Sequence, residues 1–335
     1  MKLLLVKTSS FGDVLQTLPA VTDACRAIPD LEIDWVVETP FAPVPRWHPR
    51  VREAIPVAFR RWRRKPDFGE IAALLRRLRA KRYDLVLDAQ GLMKSALVAL
   101  LARGPAAGQD FASAREPIAA AVYGRRFGIP RDLHAVERTR RLFAAALGYA
   151  PPTDIGDYGL PARPPPARPR LLMLHGATWP TKRWPEAYWA DLARRALAAG
   201  MEAALRWHDM EEKASAERIA AAAPGTMLMP AQDLDALRQV VAGASLVAAN
   251  DSGPAHLAAA LGVPGVTVYG STRPAHNGTY GPAQVHLAAE FPCAPCRSRL
   301  CTYRGPAAVT PACYASLPPD RVWAALEALI SDRGR

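Results

Sequence analysis

The sequence predicts an α/β protein built from two Rossmann-like, doubly wound domains that face a cleft. Three observations support this fold class: the chain has 335 residues, short apolar runs alternate with helical patterns, and a proline-rich stretch interrupts that alternation. A chain of this length is too long for one ordinary core and suits two domains of about 150 residues. We expect an N-terminal domain at residues 1–160, a linker at 161–169 and a C-terminal domain at 170–335.

The first half begins with a strand and then alternates between strands and helices. Apolar runs typical of buried parallel strands occupy residues 3–6, 33–37 and 85–88. Apolar residues at helical spacing predict helices at residues 71–81, 94–101 and 136–147. Strands that alternate with helices in this way form a parallel sheet covered by helices.

The alternation restarts after residues 161–169, P-A-R-P-P-P-A-R-P, which cannot sustain a helix or a central strand and are typical of a stiff linker. The strands predicted beyond the linker are residues 171–174, 202–205, 246–249 and 266–269. The predicted helices are residues 185–199, 211–222, 234–242, 255–261 and 319–330. The last of these helices is a candidate to pack back on the first domain.

A loop at residues 7–14, K-T-S-S-F-G-D-V, joins the first strand to a helix and contains one acid, Asp13. A strand that ends in small residues before a helix presents backbone N–H groups and this carboxylate in the crevice where open α/β sheets bind ligands. Most aspartates at such positions cap the helix. From these residues alone, Asp13 is either a helix cap or a functional carboxylate.

The second half contains two turns that favour a nucleotide phosphate. Residues 249–256, A-N-D-S-G-P-A-H, offer Asp251 or Ser252 as a helix cap and Gly253 for a close ligand approach. The helix that follows directs N–H groups and a positive dipole at this turn. Residues 269–274, Y-G-S-T-R-P, repeat the strand-then-small-residue form beside it, which makes a nucleotide pocket the favoured interpretation.

A third loop, residues 175–185, places Lys182 just before a helix. A lysine there can meet a diphosphate, or it can be an ordinary solvated lysine, and the two interpretations are equally supported. His175 and His256 lie in these loops and are either ligand contacts or structural hydrogen-bonding residues.

Basic residues are concentrated in the first half. A net charge of +12 favours an anionic partner, which can be nucleic acid, an anionic membrane surface or a phosphorylated substrate. Residues 60–65, R-R-W-R-R-K, suit a solvated charge cluster, a nucleic-acid patch or a phosphate receptor. Further positive charge comes from Arg115, Arg125, Arg126, Arg138, Arg140 and Arg141. This concentration favours an acidic acceptor held in this half.

Four of the five cysteines are clustered, with the spacing C-x2-C-x4-C-x11-C over Cys293, Cys296, Cys301 and Cys313. In a reducing cytosol this spacing favours a zinc site over disulfides. Structural zinc sites have two paired ligand dyads, however, and only the first pair has that form. Ordinary thiols are therefore the favoured interpretation, and zinc is the alternative.

Neither a secretory signal nor an apolar run of the ~18 residues that span a bilayer is present in the sequence. We expect a cytoplasmic protein whose membrane contact, if it has one, is peripheral.

Several motifs in order along the chain resemble the lipopolysaccharide heptosyltransferases of glycosyltransferase family nine, most closely the branch that transfers heptose to Kdo. In the first half these motifs are K-T-S-S-F-G-D-V-L-Q-T-L-P-A at residues 7–20, D-W-V-V-E at 34–38, A-I-P-V-A-F-R-R-W-R-R at 54–64, D-A-Q-G-L-M-K-S at 88–95, A-R-E-P at 114–117 and H-A-V-E-R-T-R at 134–140. The second half contributes D-S-G-P-A-H-L-A-A-A-L at residues 251–261. The resemblance implies a two-domain GT-B fold.

The resemblance also implies an activity: inverting transfer of L-glycero-D-manno-heptose from ADP-heptose to Kdo-lipid A at the inner leaflet of the inner membrane. Asp13 is the implied general base. The implied donor-binding residues are Thr178, Lys182, Glu212, Asp251, Ser252, Gly253 and His256. The implied acceptor-binding residues are Ser10, Gly12, Arg60, Arg61, Arg63, Arg64, Arg115 and Arg138. It implies no cofactor and no metal, since a lysine and a helix dipole can stabilise the leaving group, and we expect a monomer.

Three alternatives remain open at this point. A sibling of the same family adds heptose to heptose, or another sugar to the core. A nucleic-acid-binding module would use the positive charge for salt-dependent binding, although the paired nucleotide-type turns disfavour it. A non-catalytic scaffold is disfavoured by the presence of both Asp13 and Lys182.

Overall fold

The computed structural model describes residues 1–164, 166–230 and 233–331. The chain divides into two compact units, Met1–Pro161 and Ala162–Arg335, here called unit 1 and unit 2. The division falls at the start of the predicted linker, whose Pro165 lies outside the described residues.

Unit 1 contains a parallel sheet. Its described strands are β1 (Lys2–Val6), β2 (Glu32–Glu38), β3 (Val51–Val57), β4 (Leu85–Asp88), β5 (Ala106–Gln109) and β6 (Arg125–Phe127). They are arranged in the order β3-β2-β1-β4-β5-β6, and every neighbouring pair is parallel. This is the strand order of the Rossmann fold, in which successive strands are added on one side of β1 and then, from β4 onward, on the other side; the switch point lies between β1 and β4.

Helices connect these strands. They are α1 (Phe11–Leu15), α2 (Leu18–Ala27), α3 (Pro43–Trp47), α4 (Phe59–Trp62), α5 (Phe68–Arg79), α6 (Met93–Leu101) and α7 (Ala135–Leu147), with short 3-10 helices at Thr39–Phe41 and Pro117–Val122. One side of the sheet forms a core in which Val6 and Val86 pack against Leu78 of α5 and Val98 of α6.

Unit 2 repeats this topology. Its described strands are β7 (Arg170–Leu174), β8 (Glu202–Trp207), β9 (Met227–Pro230), β10 (Leu246–Asn250), β11 (Gly265–Tyr269) and β12 (Gln284–Ala288). All neighbouring pairs are parallel, in the order β12-β11-β10-β7-β8-β9. The switch point of the strand order lies between β7 and β10, which correspond to β1 and β4 of unit 1.

The helices of unit 2 are α8 (Glu186–Ala198), α9 (Met210–Ala222), α10 (Leu234–Ala242), α11 (Gly253–Ala260), α12 (Pro274–Asn277) and α13 (Pro319–Ser331), with 3-10 helices at Pro180–Lys182 and Ala312–Ser316. The last helix, α13, packs against α8, β10 and β11 of this same unit. Its Val322 and Leu326 join a core that includes Trp189 and Val266.

The predicted strands and helices are all present, with ends that shift by one to three residues. Sequence patterning missed the outer strands β3, β6, β9 and β12 and the strand β5. These strands are short or carry charged and exposed side chains, such as Arg125 and Arg126 in β6, so they lack the continuous apolar run of a central parallel strand.

Candidate active site

The loop after β1 orients the carboxylate of Asp13. Asp13 is the third residue of α1, and its Oδ2 accepts hydrogen bonds from the Ser10 backbone N–H at 2.8 Å and the Ser10 hydroxyl at 2.7 Å. The side chain thus stabilises the start of its helix, as the cap interpretation predicts. Both bonds go to one oxygen, and the residue is only partly buried, so Oδ1 can accept a proton or hydrogen bond from a ligand.

Gln90 holds this loop in place. It follows β4, and its side-chain oxygen accepts the backbone N–H groups of Thr8 at 2.9 Å and Ser9 at 3.2 Å. Its amide nitrogen donates to the Ser9 carbonyl at 2.7 Å. Gln90 is buried. Its three bonds therefore hold the loop after β1 against the end of the neighbouring strand β4, at the switch point of the strand order.

Lys7 is a partly buried lysine whose charge interacts with that of Asp13. Its ammonium donates to the Ala89 carbonyl at 3.0 Å. Burial lowers the pKa of Lys7, and the positive charges of Arg115 and Arg138 lower it further, while Asp13 and Asp88 oppose this effect. The charges of Asp13, Arg115 and Arg138 thus all act on Lys7, a lysine to which sequence reasoning gave no role.

Arg138 is partly buried in α7. Its Nη2 donates to the Ser113 carbonyl at 2.9 Å, and its buried Nε has no hydrogen-bond partner among the residues the structure describes. Burial, with the nearby charge of Arg131, lowers the pKa of Arg138. A donor left without a partner is costly inside a protein, so this nitrogen favours an anionic ligand at the site.

The arginines of the predicted basic run differ in their contacts. Arg60 donates its backbone N–H to Glu38 at 2.9 Å, and its guanidinium lies 5.6 Å from the ring centroid of Phe41. The guanidinium of Arg61 pairs with Glu70. Arg63 and Arg64 are exposed and can bind an anion.

Arg140 is a correction to the predicted charge pattern. Its side chain is 1% exposed and binds Asp23 at 2.6 Å and Asp154 at 2.7 Å. Hydrogen bonds and ion pairs with these acids outweigh burial and raise the pKa of Arg140. It joins α7 to α2 and adds no positive charge to a surface.

In unit 2, Lys182 is paired with Asp251. Its ammonium lies 2.7 Å from Oδ2 of Asp251 and 5.0 Å from the ring centroid of Trp179. Oδ2 of Asp251 also accepts the Thr272 hydroxyl at 2.6 Å. The three loops predicted to surround a nucleotide thus converge on one carboxylate, which orients the lysine.

The turn after β10 ends in a helix N-terminus. Ser252 is the N-cap of α11, and Gly253 is its first residue. The Ser252 hydroxyl is buried and has no hydrogen-bond partner in the described part of the chain. His256 lies one turn into α11 and is buried. A hydroxyl without a partner beside the positive end of a helix is suited to a phosphate oxygen.

Glu212 lies against the loop that follows β7. Its Oε2 accepts the His208 backbone N–H at 2.9 Å and lies 3.3 Å from Arg206, while its backbone carbonyl lies 3.1 Å from Nε2 of His175. A Cβ added at Gly176 would lie 2.0 Å from Oε1 of Glu212, so a side chain here would displace the Glu212 carboxylate. Thr178, two residues further along the loop, is exposed.

Burial lowers the pKa of His175. This loop and α9 border a cavity of about 310 Å³, which His175, Gly176, Arg183, Glu212 and Cys301 help to line.

Asn250 was not predicted to have a site role. It is fully buried at the end of β10, accepts the Trp184 backbone N–H at 3.1 Å and donates to the His175 carbonyl at 2.5 Å. It therefore ties the turn after β10 to the loop after β7 and to the start of α8. A polar residue at the end of an apolar strand was the signal in the sequence that could have pointed to Asn250. It does not reveal which loops its side chain binds.

The four clustered cysteines are free thiols. Burial, together with the electrostatic influence of the other three cysteines, raises the pKa of Cys313 to about 11. Within residues 1–164, 166–230 and 233–331, no three His, Cys, Asp or Glu side chains are placed so that they could hold a metal ion. In the same part of the chain, no helix has both the length and the apolar character to span a membrane.

The family is decided by comparison with known proteins. The model of glycosyltransferase family 9 (heptosyltransferase) matches residues 71–306, which is more than half of the chain. The chain belongs to glycosyltransferase family 9. The family resemblance seen in the sequence is confirmed.

Its family 9 relatives include lipopolysaccharide heptosyltransferase 1 of Pseudomonas aeruginosa, which is 47% identical over 348 residues and is matched over 98% of both chains. The enzyme of the same name from Escherichia coli K12 is 44% identical, with 85% of this chain and 92% of that enzyme covered. The solved structure of E. coli heptosyltransferase WaaC with ADP-2-deoxy-2-fluoro heptose is 40% identical, has a TM-score of 0.84 and is covered over 99% of its length by 98% of this chain. The expected GT-B fold class is confirmed, and this family 9 protein is a glycosyltransferase.

Proposed function

We propose that this enzyme is an inverting heptosyltransferase that moves L-glycero-D-manno-heptose from ADP-heptose to a Kdo residue of Kdo-lipid A, in synthesis of the lipopolysaccharide inner core. The observation that carries the proposal is that each unit places chemically reactive or charged groups at the switch point of its strand order. Unit 1 presents an oriented carboxylate among cations, and unit 2 presents a lysine beside a helix N-terminus.

Unit 2 supplies the donor half of the reaction. Lys182, oriented by Asp251 at 2.7 Å, neutralises the diphosphate as the bond between the sugar carbon and its phosphate oxygen breaks. The N-terminus of α11 and the Ser252 hydroxyl bind phosphate oxygens. Thr178 binds a further oxygen, and Glu212 and His256 bind hydroxyl groups of the donor. This arrangement stabilises the ADP leaving group without a metal ion.

Unit 1 supplies the acceptor half. Asp13 accepts the proton of the acceptor hydroxyl, whose oxygen then attacks the sugar carbon on the face opposite the departing ADP, so the configuration inverts. General base catalysis of this kind contributes about 10²–10⁴ in rate. Arg115 and Arg138 bind the Kdo carboxylates, while Arg60, Arg61, Arg63 and Arg64 bind the lipid A phosphates. Ser10 and Gly12 position the acceptor beside Asp13.

Mass spectrometry of the lipid tests the proposed reaction. The purified protein is incubated with ADP-heptose and Kdo-lipid A, and we expect the lipid mass to rise by one heptose while ADP is released. A parallel reaction with EDTA should proceed at the same rate, because the leaving group is stabilised by protein groups. If the protein instead modifies only a lipid that already carries heptose, the acceptor assignment is wrong.

The lipid-linked acceptor also bears on location. We propose that the enzyme works as a peripheral protein at the inner face of the inner membrane. The proposal is supported by the net charge of +12, because anionic headgroups attract basic proteins.

A further inference from the structure

One face of α6 exposes large apolar side chains. Met93, Leu97 and Leu100 are spaced so that they form one stripe along the helix, and Leu97 and Leu100 are 51% and 60% exposed. The buried residues of α6 are Ser95, Ala96, Val98 and Ala99. Helices of globular proteins usually turn their larger apolar residues inward, so leucines that α6 leaves exposed are unusual.

The neighbouring 3-10 helix Pro117–Val122 also exposes a large apolar side chain. It packs against α6 through Ala119 and Ala120, while Ile118 is 64% exposed. Two adjacent elements therefore place large apolar side chains in solvent. The α6 face is here defined as Met93, Leu97, Leu100 and Ile118.

Basic side chains surround the α6 face. Lys94 lies on α6 itself, with its ammonium 5.8 Å from the ring centroid of Phe59, the residue that begins α4 and directly precedes the basic run. At the other end of α6, Arg79 donates to the Leu101 carbonyl at 3.3 Å, and Arg103 donates to the Arg79 carbonyl at 3.4 Å.

The side of the face formed by the 3-10 helix has a basic residue as well. Arg126 donates to the Ala120 carbonyl at 2.7 Å, and its guanidinium lies 5.2 Å from the ring centroid of the exposed Phe111. One acid, Glu116, contacts the face, and its carboxylate accepts the Met93 backbone N–H at 2.7 Å, where it stabilises the start of α6.

We propose that the α6 face is the surface through which this enzyme docks on an anionic lipid bilayer. Apolar side chains that project between lysines and arginines match the boundary between anionic headgroups and acyl chains. A second copy of the chain fits less well, because a symmetric contact through this face would set each basic rim against its own like charges. The assignment rests on the proposed function for the reason to approach a membrane, namely a lipid-linked acceptor.

Co-sedimentation with vesicles tests the docking surface. The full-length protein is mixed with vesicles of phosphatidylethanolamine and phosphatidylglycerol, or of phosphatidylcholine alone. We expect binding to the anionic vesicles that weakens as salt is added. The double variant Leu97→Glu/Leu100→Glu should bind them at least about tenfold more weakly, and Arg103→Glu/Arg126→Glu should lose the preference for anionic lipid.

Ile155→Glu is the matched control, because Ile155 is 55% exposed in the same unit and follows Asp154, which binds Arg140 of α7. Circular dichroism establishes that each variant is folded. The proposal is overturned if the Leu97→Glu/Leu100→Glu variant binds anionic vesicles as the wild type does. It is also overturned if sedimentation equilibrium shows a wild-type dimer that this variant dissociates, since the face would then be a self-interface.

A transfer assay separates docking from catalysis. The Leu97→Glu/Leu100→Glu variant should transfer heptose to a deacylated, water-soluble Kdo acceptor at the wild-type rate, but more slowly to Kdo-lipid A in vesicles. Equal loss on both acceptors would contradict a docking role. If the wild type transfers heptose to neither acceptor, the proposed function fails, while the vesicle result still decides the docking surface.

Discussion

At the scale of the residue, the proposed mechanism gives the two oxygens of Asp13 different tasks. Its Oδ2 accepts two hydrogen bonds from Ser10, and the proposal assigns Oδ1 to the acceptor hydroxyl. A substitution that keeps the first task and removes the second can therefore separate them. Asparagine does this, because its amide oxygen still accepts from Ser10 but is a very weak base.

We expect Asp13→Asn to lower kcat by about 10²–10⁴ while the affinity for ADP-heptose changes little. Steady-state transfer rates and calorimetric titration with ADP measure the two effects. Asp84→Asn is the control, because Asp84 accepts the Lys2 backbone N–H at the opposite end of the sheet and should leave both quantities unchanged. Turnover at the wild-type rate in Asp13→Asn would remove Asp13 from the mechanism.

Lys182 is expected to act on both ADP binding and catalysis, because the negative charge of the leaving group grows as the bond breaks. Lys182→Ala should weaken ADP binding about tenfold, the effect of one charged hydrogen bond, and lower kcat by roughly 10²-fold. Arg194→Ala removes a charge from α8 in the same unit, where Arg194 binds Asp191, and should change neither. Unchanged kinetics in Lys182→Ala would make it an ordinary surface lysine.

The residues that sequence reasoning missed act through contacts that are distant along the chain. Gln90 binds a loop 81 residues before it, and Asn250 binds a carbonyl 75 residues before it. Local patterning identified the turns that hold them but cannot state which loops meet. For Arg140 the sequence suggested a role that the structure does not support. It lies among basic residues and was counted as surface charge, but its side chain is buried and paired with three acids.

At the scale of the element, the loop after β7 lies so close to the helix α9 that a Cβ at Gly176 would overlap the Glu212 side chain. Gly176→Ala would displace the Glu212 carboxylate, whose Oε1 lies 2.0 Å from the added Cβ. Because a carboxylate can rotate away, the unfolding free energy should fall by less than about 1 kcal/mol. The KM for ADP-heptose should rise several-fold, since Glu212 no longer keeps its bonds to His208 and Arg206.

Steady-state kinetics and urea unfolding check this expectation. Gly243→Ala is the matched control in unit 2, because the nearest atom to its added Cβ is an ordinary 3.6 Å away, and it should leave the KM unchanged. A wild-type KM in Gly176→Ala would show that the Glu212 carboxylate does not contact the donor.

The elements that could be predicted are those buried on both faces of a sheet. The runs that predict β1, β4, β7 and β10 are nearly all apolar, because helices cover both sides of these strands. Strand β12 alternates between partly buried and exposed residues at the edge of its sheet, and its pattern is shared by many loops. The central strands carry the site, which is why the site loops were found although the sheet edges were not.

At the scale of the whole molecule, the two units share one arrangement of sheet and loops. Each places its candidate site loops at the switch point of the strand order, which lies between β1 and β4 in unit 1 and between β7 and β10 in unit 2. In each, a buried amide side chain at or just beyond the end of the fourth strand binds the loop after the first strand. This side chain is Gln90 in unit 1 and Asn250 in unit 2. In the proposed mechanism, both amides pre-organise a loop that holds charge, so the fold itself would keep the reacting groups in position.

The stability of the folded molecule should depend on pH through His48. This side chain is buried, with Nε2 3.0 Å from the Thr22 hydroxyl and Nδ1 accepting the Arg50 backbone N–H at 3.2 Å. Burial, together with the charge of Arg50, lowers the pKa of His48 to about 4, against a weaker opposing effect of Asp157. A proton on Nδ1 would also break the bond from Arg50, so the folded state holds the ring neutral.

The sign follows from which state binds the proton. Below the usual histidine pKa of about 6.5 the unfolded chain takes up a proton that the folded chain refuses, so stability falls as the pH drops towards 4. Between pH 7 and pH 5 this histidine should remove roughly 2 kcal/mol of unfolding free energy. Urea unfolding of the wild type and of His48→Gln at both pH values isolates the effect, because other titrating groups contribute equally to the two proteins. An equal loss in both proteins would mean that folding does not lower the pKa of His48, and the prediction would be wrong.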